Sequence, residues 1–362
     1  MKIGRILRAG LGGAEPRTVA VDVERGVAID LRRAEHARLL GAGATEAAAR
    51  RLAAARFPDS LADALGSPSF LADARAAADA DAAPADARVP LADARWLPAI
   101  DPPRYRDFMS FEQHHLSVRA VLDRPVPPVT YELPTYYKGG HLTLLGHDEP
   151  MPWPGYSDWM DYELELGFVV GRGGADLTPE EAERCLFGVT LLNDFSARDR
   201  QFHENRGNLG PAKGKDFATA VGPWITTADE LDLLAIDMEA LVGGERWAQG
   251  VSGSAMWSAA ELLAYLSTAE PLVPGELVGS GTLGGGCGLE VGRRLVPGDV
   301  VELRSARLGT LRTPLGDPLP LRWSPPPREP GVPIDGISPV AVTPLLPPRD
   351  GVDERPATDL AT

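Results

Sequence analysis

Between residues 161 and 170 the chain reads DYELELGFVV, with apolar and acidic positions alternating until the run closes on FVV. Period-two alternation marks an extended strand whose side chains point to opposite faces. Tyr162, Leu164 and Leu166 then share one face. Glu163 and Glu165 share the other, roughly 7 Å apart at ~3.3 Å per residue. Residues 1–33 show the same short-strand character, in KIGRILRAG and RTVAVDVERGVAIDL, with Gly and charged residues marking the turns. From about residue 43 to 96 the pattern changes to an Ala-rich, charged stretch that favours helix, and Gly66-Ser67-Pro68 breaks it into two pieces. WLPAIDPPRYRDF restores strand and turn, and SFEQHHLSVRAVL has the look of a short helix.

Further along, LTPEEAERCLFGVTLLNDFSARDRQ can be parsed residue by residue. Thr178 is a good N-cap, Pro179 suits the first helical position, and Glu181 completes a capping box. The helix is expected to stop near Gly188, VTLLNDF to form a buried strand ending near Asp194, and SARDRQFHEN to turn helical. GSGTLGGGCG, residues 279–288, contains the string GxGxxG. The residues immediately after it, LEVGRRLVPGDVVELR, have a strand–turn–strand pattern, whereas a dinucleotide fingerprint needs strand–turn–helix. A nicotinamide site is therefore not expected. The last segment, residues 323–362, is proline-rich without a period and suits a surface or disordered tail.

Composition narrows the function classes. Among 362 residues, 51 acidic against 36 basic give a formal charge of −15, which argues against nonspecific nucleic-acid binding. Cys185 and Cys287 are too few for a disulfide framework or a thiol-rich metal motif, and both suit inert core positions. The N-terminus lacks the apolar run of a signal peptide, and no segment approaches a ~20-residue membrane span. A cytoplasmic protein without a membrane partner is the expectation.

Two aspartates also end apolar or turn segments: Asp107 in YRDFMSFEQHH and Asp194 in LLNDFSARD. With Glu163 and Glu165 they could meet around one hard divalent cation, which takes oxygen ligands. Such an ion would offset the repulsion and desolvation of adjacent like charges. The competing reading is a solvent-facing strand side carrying ordinary acids. His114 follows Asp107 by seven residues, but composition alone does not select it over His115.

Five blocks, RDFMSFEQHH, DYELELG, LLNDFSARDRQ, GKDFATAVGPW and GTLGGGCGLEV, occur in an order and spacing that resemble the fumarylacetoacetate hydrolase superfamily. The resemblance covers about residues 97–315. It implies a mainly β, α+β architecture: a small N-terminal β-domain with an Ala-rich helical insertion (1–96), a β-roll catalytic domain of mixed sheets (97–322) and the Pro-rich tail (323–362). It further implies that Asp107, Glu163, Glu165 and Asp194 bind a divalent cation, Mg²⁺ foremost, with Mn²⁺ or Ca²⁺ as alternatives. His114 falls at the general base, with Glu290 as the carboxylate orienting it. Lys215, Arg198 and Gln201 match residues that hold substrate or stabilise developing negative charge. Thr219 falls near the metal, and Tyr137 and Thr282 are further substrate-site candidates.

The resemblance implies hydrolysis of a carbon–carbon bond in a 1,3-diketone or acylpyruvate-like small molecule by a homodimer. Relatives that decarboxylate 2-oxoacids, hydrate dienoates or isomerise double bonds supply the alternative, and a non-catalytic small-molecule binder a third reading. Met109 stands where the long hydrolases carry a substrate-contacting tyrosine, and neither Arg119 nor Arg124 matches the arginine beyond the histidine. A substrate other than fumarylacetoacetate is therefore expected.

Overall fold

The computed structural model describes residues 1–10, 13–79 and 81–327. Its backbone is an 11-stranded mixed sheet. Side by side across it run Arg88–Pro90, Val27–Asp30, Gly13–Asp22, Lys2–Gly10, Thr219–Thr227, Leu186–Asp194, Leu164–Val170, Leu277–Gly279, Tyr105–Phe108 and Tyr136–Gly139. Leu144–Leu145 pairs in parallel with Thr219–Thr227, and Leu277–Gly279 pairs in parallel with Tyr105–Phe108. A second sheet of five strands runs Glu245–Val251, Asp237–Val242, Val300–Ser305, Gly309–Pro318 and Met151–Trp153. Mixed sheets with helices packed on them fit the expected fold class.

The apolar runs of the central strands follow from burial on both faces. Phe168, Leu191, Ala220 and Val278 belong to one core, shared with Met238, Val301 and Leu311 of the five-stranded sheet. Their neighbours Val169, Leu192, Val221 and Leu277 belong to another, closed by the Ala-rich helices through Phe57, Leu61, Phe70 and Ala74. Successive residues thus alternate between two apolar environments, and the strand loses the polar-out signature of a half-exposed sheet. Alanine at Ala49, Ala53 and Ala74, all buried, lets the helices lie close to one another and to the sheet. The insertion's work is to cover this face.

Several local expectations hold. Thr178 and Glu181 form the reciprocal capping box at Pro179–Glu183, with Pro179 inside the first turn. Arg198–Asn205 and Glu112–Val121 are helical. The Gly66-Ser67-Pro68 break does separate two helices, Leu61–Leu65 and Phe70–Ala77, but among the described residues the Ala-rich stretch also holds a third, Glu46–Arg56, set off by a second break at 57–60. Other expectations need correction. Leu31–Gly41 is a helix that the period-two reading of residues 1–33 does not anticipate; Asp30 caps it by accepting from the Arg33 N–H. Pro179–Glu183 ends before Gly188, because Leu186–Asp194 already pairs with Leu164–Val170. Gly288–Val291 is one helical turn where strand was expected, and strand resumes only at Val300–Ser305.

The boundary expected at residue 96 is crossed by the sheet itself, since Lys2–Gly10 pairs with Thr219–Thr227 and Ile6 bridges Trp96. Met1–Leu319 form one unit and Pro320–Thr362 another, and residues 320–327 carry no regular secondary structure. The rest of the expected tail, residues 328–362, lies outside the described residues. Among the described residues no helix is long and apolar enough to cross a membrane.

Candidate metal and catalytic site

One face of the central sheet changes chemistry at one end. The positions that carry Tyr105, Leu192 and Leu277 in the second core are followed two residues later by Asp107, Asp194 and Gly279. Val169 on the same face is preceded by Gly167 and then Glu165. Register aligns these positions: Gly279 pairs with Asp107 on one side and Gly167 on the other, and Glu165 pairs with Leu192, two residues before Asp194. The carboxylates of Asp107, Glu165 and Asp194 converge there, with donor atoms within 4.8 Å of one another. A Cβ on Gly279 would collide with Asp107 Oδ1 and lie 3.1 Å from Glu165 Oε2, so this close approach needs glycine.

All three acids are buried, as is Glu163, which removes the solvent-facing strand as an account of them. Burial, aided by the neighbouring Asp194 charge, pushes Asp107 well above the usual carboxylate range. Burial and Asp107 do the same to Glu165. Asp194 is raised by burial against the opposing pull of Lys215. Around them the polar contacts are specific. Tyr105 donates to Asp107 Oδ2 (2.8 Å), and Tyr137 to Asp194 Oδ2 (2.7 Å). Thr219 donates to Asp194 Oδ1 (3.1 Å) and Thr282 to Glu165 Oε1 (3.2 Å). The Gly281 N–H donates to Glu165 Oε2 (3.1 Å). Asp107 Oδ1 has no hydrogen-bond partner although it is buried. An all-oxygen cluster with an orphaned carboxylate oxygen fits a hard divalent cation.

Glu163 faces the cations of the site. Lys215 Nζ donates to Glu163 Oε2 (2.5 Å) and also reaches Asp194 Oδ2, and Arg198 Nη1 lies 2.8 Å from Glu163 Oε1. Burial opposes its charge, but Lys215 and Arg198 win and hold it down to about 2. Lys215 and Arg198 are themselves buried. Arg198 Nη1 also donates to Gln201 Oε1 (3.1 Å), one helical turn on.

The histidine pair separates cleanly. His114 Nδ1 lies 2.9 Å from Glu290 Oε2, while His115 Nε2 lies 2.9 Å from the Met109 carbonyl. Glu290 Oε1 accepts from the Gly285 N–H (3.0 Å). Glu290 is thus a helical residue whose buried side chain is aimed at His114, and the glycine turn before it supplies its second partner.

Asp161 is the residue that motif reading missed. Fully buried, it accepts from Arg198 Nε (2.8 Å) and from the N–H groups of Gly288 (2.7 Å) and Leu289 (3.0 Å). It therefore ties Arg198 to the turn that carries Glu290. The signal was present, because the period-two acid series of DYELEL begins at Asp161, not at Glu163.

Comparison with known proteins gives the family and the fold. Residues 104–315 match the family model described as fumarylacetoacetate (FAA) hydrolase C-terminal. The chain belongs to this family. An uncharacterised protein of Staphylococcus aureus strain USA300 is 27% identical over 238 residues, 63% of this chain and 74% of that protein. Among solved structures, a fumarylacetoacetate hydrolase from psychrophilic Exiguobacterium antarcticum superposes with a TM-score of 0.66 at 22% identity, covering 87% of this chain and 99% of that one. A 5-carboxymethyl-2-hydroxymuconate delta-isomerase from Mycobacterium smegmatis gives 0.61 at 23% identity, with 87% and 99% covered. At these identities the structures establish the shared fold. Of these two structures one is described as a hydrolase and the other as an isomerase.

Proposed function

We propose that this protein is a metal-dependent hydrolase that cleaves a carbon–carbon bond in a 1,3-diketone or acylpyruvate-like small molecule. The observation that carries the reading is the buried His114–Glu290 pair at 2.9 Å, held on the turn whose Cys287 bridges Glu163. Asp107, Glu165 and Asp194 would hold the cation, with Glu163, now shared by Lys215 and Arg198, as the fourth carboxylate of the set. Mg²⁺ is the proposed ion, with Mn²⁺ or Ca²⁺ as substitutes. Bound there, it supplies Lewis-acid polarisation of a keto oxygen.

The chain's own residues do the rest. Glu290 accepts the Nδ1 proton of His114, which leaves Nε2 as the basic nitrogen. Nε2 takes a proton from water while the water oxygen bonds to one carbonyl carbon. The bond between that carbon and its neighbour then breaks, leaving its electron pair on the departing carbon as an enolate. Lys215, Arg198 and Gln201 would stabilise that charge, and the burial of Lys215 and Arg198 strengthens their contacts. The proton on His114 returns to the enolate carbon, giving one acid and one ketone. Tyr137 and Thr282, proposed as substrate-site residues, also donate to Asp194 and Glu165, so they orient the cluster as well.

A second reading keeps the site and changes the reaction. Two solved structures of this fold are described as isomerases of a hydroxymuconate and a 2-hydroxy-dienedioate. In an isomerisation the His114–Glu290 pair would move a proton between two carbons instead of activating water; decarboxylation or hydration would use the same enolate. The test is a panel of acylpyruvates, 2-oxoacids and dienoates incubated with purified protein and Mg²⁺ or Mn²⁺. The hydrolase reading predicts two products, one a new acid, and loss of that activity in His114→Ala. Release of CO₂ or conversion to an isomer of equal mass would favour the second reading. We further propose a cytoplasmic homodimer.

A further inference from the structure

The His114–Glu290 pair has a third neighbour. Cys287 Sγ donates to Glu290 Oε2 at 3.2 Å, the same oxygen that faces His114 Nδ1. One nitrogen, one sulfur and one oxygen donor, from His114, Cys287 and Glu290, lie within 4.8 Å of one another. All three side chains are buried, and Cys287 is fully so.

Backbone placement makes this convergence specific. Cys287 occupies the N-cap of Gly288–Val291 with an extended backbone, and its side chain makes no cap hydrogen bond. Ser, Thr, Asp and Asn favour that position because their oxygen caps a free N–H. Here the capping of Gly288 and Leu289 is done by Asp161, and the thiol is left to face Glu290. The bridge between Cys287 and Glu163 fixes the turn against the strand that leads into the acidic cluster.

The chain therefore carries two donor sets of different softness. Asp107, Glu165 and Asp194 offer oxygen alone, which suits Mg²⁺, Mn²⁺ or Ca²⁺. A sulfur, an imidazole nitrogen and a carboxylate oxygen suit Zn²⁺ or Cd²⁺, which take such mixed sets in tetrahedral sites. We propose that His114, Cys287 and Glu290 form a second site, selective for soft divalent cations. Binding there displaces the thiol proton to solvent and forms a metal–sulfur bond with no change of oxidation state. The bound ion also takes the Glu290 oxygen that orients His114. Hard ions would then activate the protein and soft ions block it; this last consequence rests on the catalytic role proposed for His114.

The test reads the metal–sulfur bond directly and needs no turnover. Full-length protein in saturating Mg²⁺ is titrated with Cd²⁺ while the ultraviolet thiolate-to-cadmium charge-transfer band is followed. A band saturating with one ion per chain is expected, unchanged in Cys185→Ser and absent in Cys287→Ser. Serine is a favoured N-cap, so that variant keeps a residue suited to the turn. His114→Gln retains the thiol and should weaken Cd²⁺ binding at least about tenfold. A band that survives Cys287→Ser, or no band in the unaltered protein, overturns the proposal. Cd²⁺ affinity unaffected by His114→Gln also overturns it. If the charge-transfer result holds while no substrate in the panel turns over, the soft-metal site stands and the hydrolase reading fails.

Discussion

Asp107 and Gly279 face one another on neighbouring parallel strands, and the volume a Gly279 side chain would fill holds the Asp107 carboxylate. The acidic cluster is thus built by an absence as much as by three acids. Gly279→Ala forces its new methyl group against Asp107 and Glu165. It should lower Mn²⁺ affinity at least about tenfold, at a stability cost of about 1–3 kcal/mol. Isothermal titration and urea unfolding measure the two effects separately, and unchanged Mn²⁺ affinity would show that the cluster does not depend on this spacing.

His114 and Glu290 should be separable from metal binding. His114→Ala should lower kcat by about 10²–10⁴-fold, with Mn²⁺ binding retained. Glu290→Gln should fall in the same direction by less, since the imidazole remains and only its orienting charge is lost. Turnover undiminished in His114→Ala removes histidine from the mechanism.

Asp161 makes a prediction of its own. Asp161→Asn leaves the buried Arg198 short of a charge partner and gives the Gly288 and Leu289 N–H groups a poorer acceptor. A loss of about 3–5 kcal/mol in urea unfolding is expected from breaking a buried pair on one side. Activity should fall too, because the same turn carries Glu290, while Mn²⁺ affinity stays unchanged. Wild-type stability in this variant would show that Arg198 and the turn hold their places without it.

These cases show how far the chain could be read before its structure. Asp107, Glu163, Glu165 and Asp194 stood out by their places on strands or strand ends, and His114 and Glu290 only through the family resemblance; the structure gathers Asp107, Glu165 and Asp194 and turns Glu163 toward Lys215 and Arg198. Asp161 lay inside the motif DYELELG and was passed over, since an acid at the edge of a strand resembles a turn residue. The helix Leu31–Gly41 was hidden by weak amphipathicity, with only Leu31, Ala34 and Glu35 buried. The turn at Gly288–Val291 is too short for any 3.6-residue period to register, and tertiary contacts to Asp161 hold it. The Lys215 bridge from Glu163 to Asp194 joins residues far apart in the chain, which local pattern does not report.

Stability should depend on pH in a direction the site dictates. Folded Asp107 and Glu165 keep their protons to higher pH than unfolded ones, whose values are about 4. Their contribution is complete below that value and is lost as pH rises through the folded values. Glu163, at about 2, contributes oppositely, and its share disappears only as pH falls through that value. Chelator-treated protein should therefore lose urea stability on going from about pH 5 to about pH 8. Saturating Mn²⁺ should abolish that loss, because the bound ion requires deprotonated carboxylates. Identical pH profiles with and without the ion contradict this.

The most direct test is anomalous diffraction from crystals soaked in Mn²⁺ with oxalate, which stands in for the two adjacent oxygens of a keto acid. A single strong manganese peak within bonding distance of Asp107, Glu165 and Asp194, with oxalate on its open side and His114 facing the oxalate, is the predicted result. Manganese bound elsewhere, with those three carboxylates still sharing protons around an unfilled centre, would contradict the account.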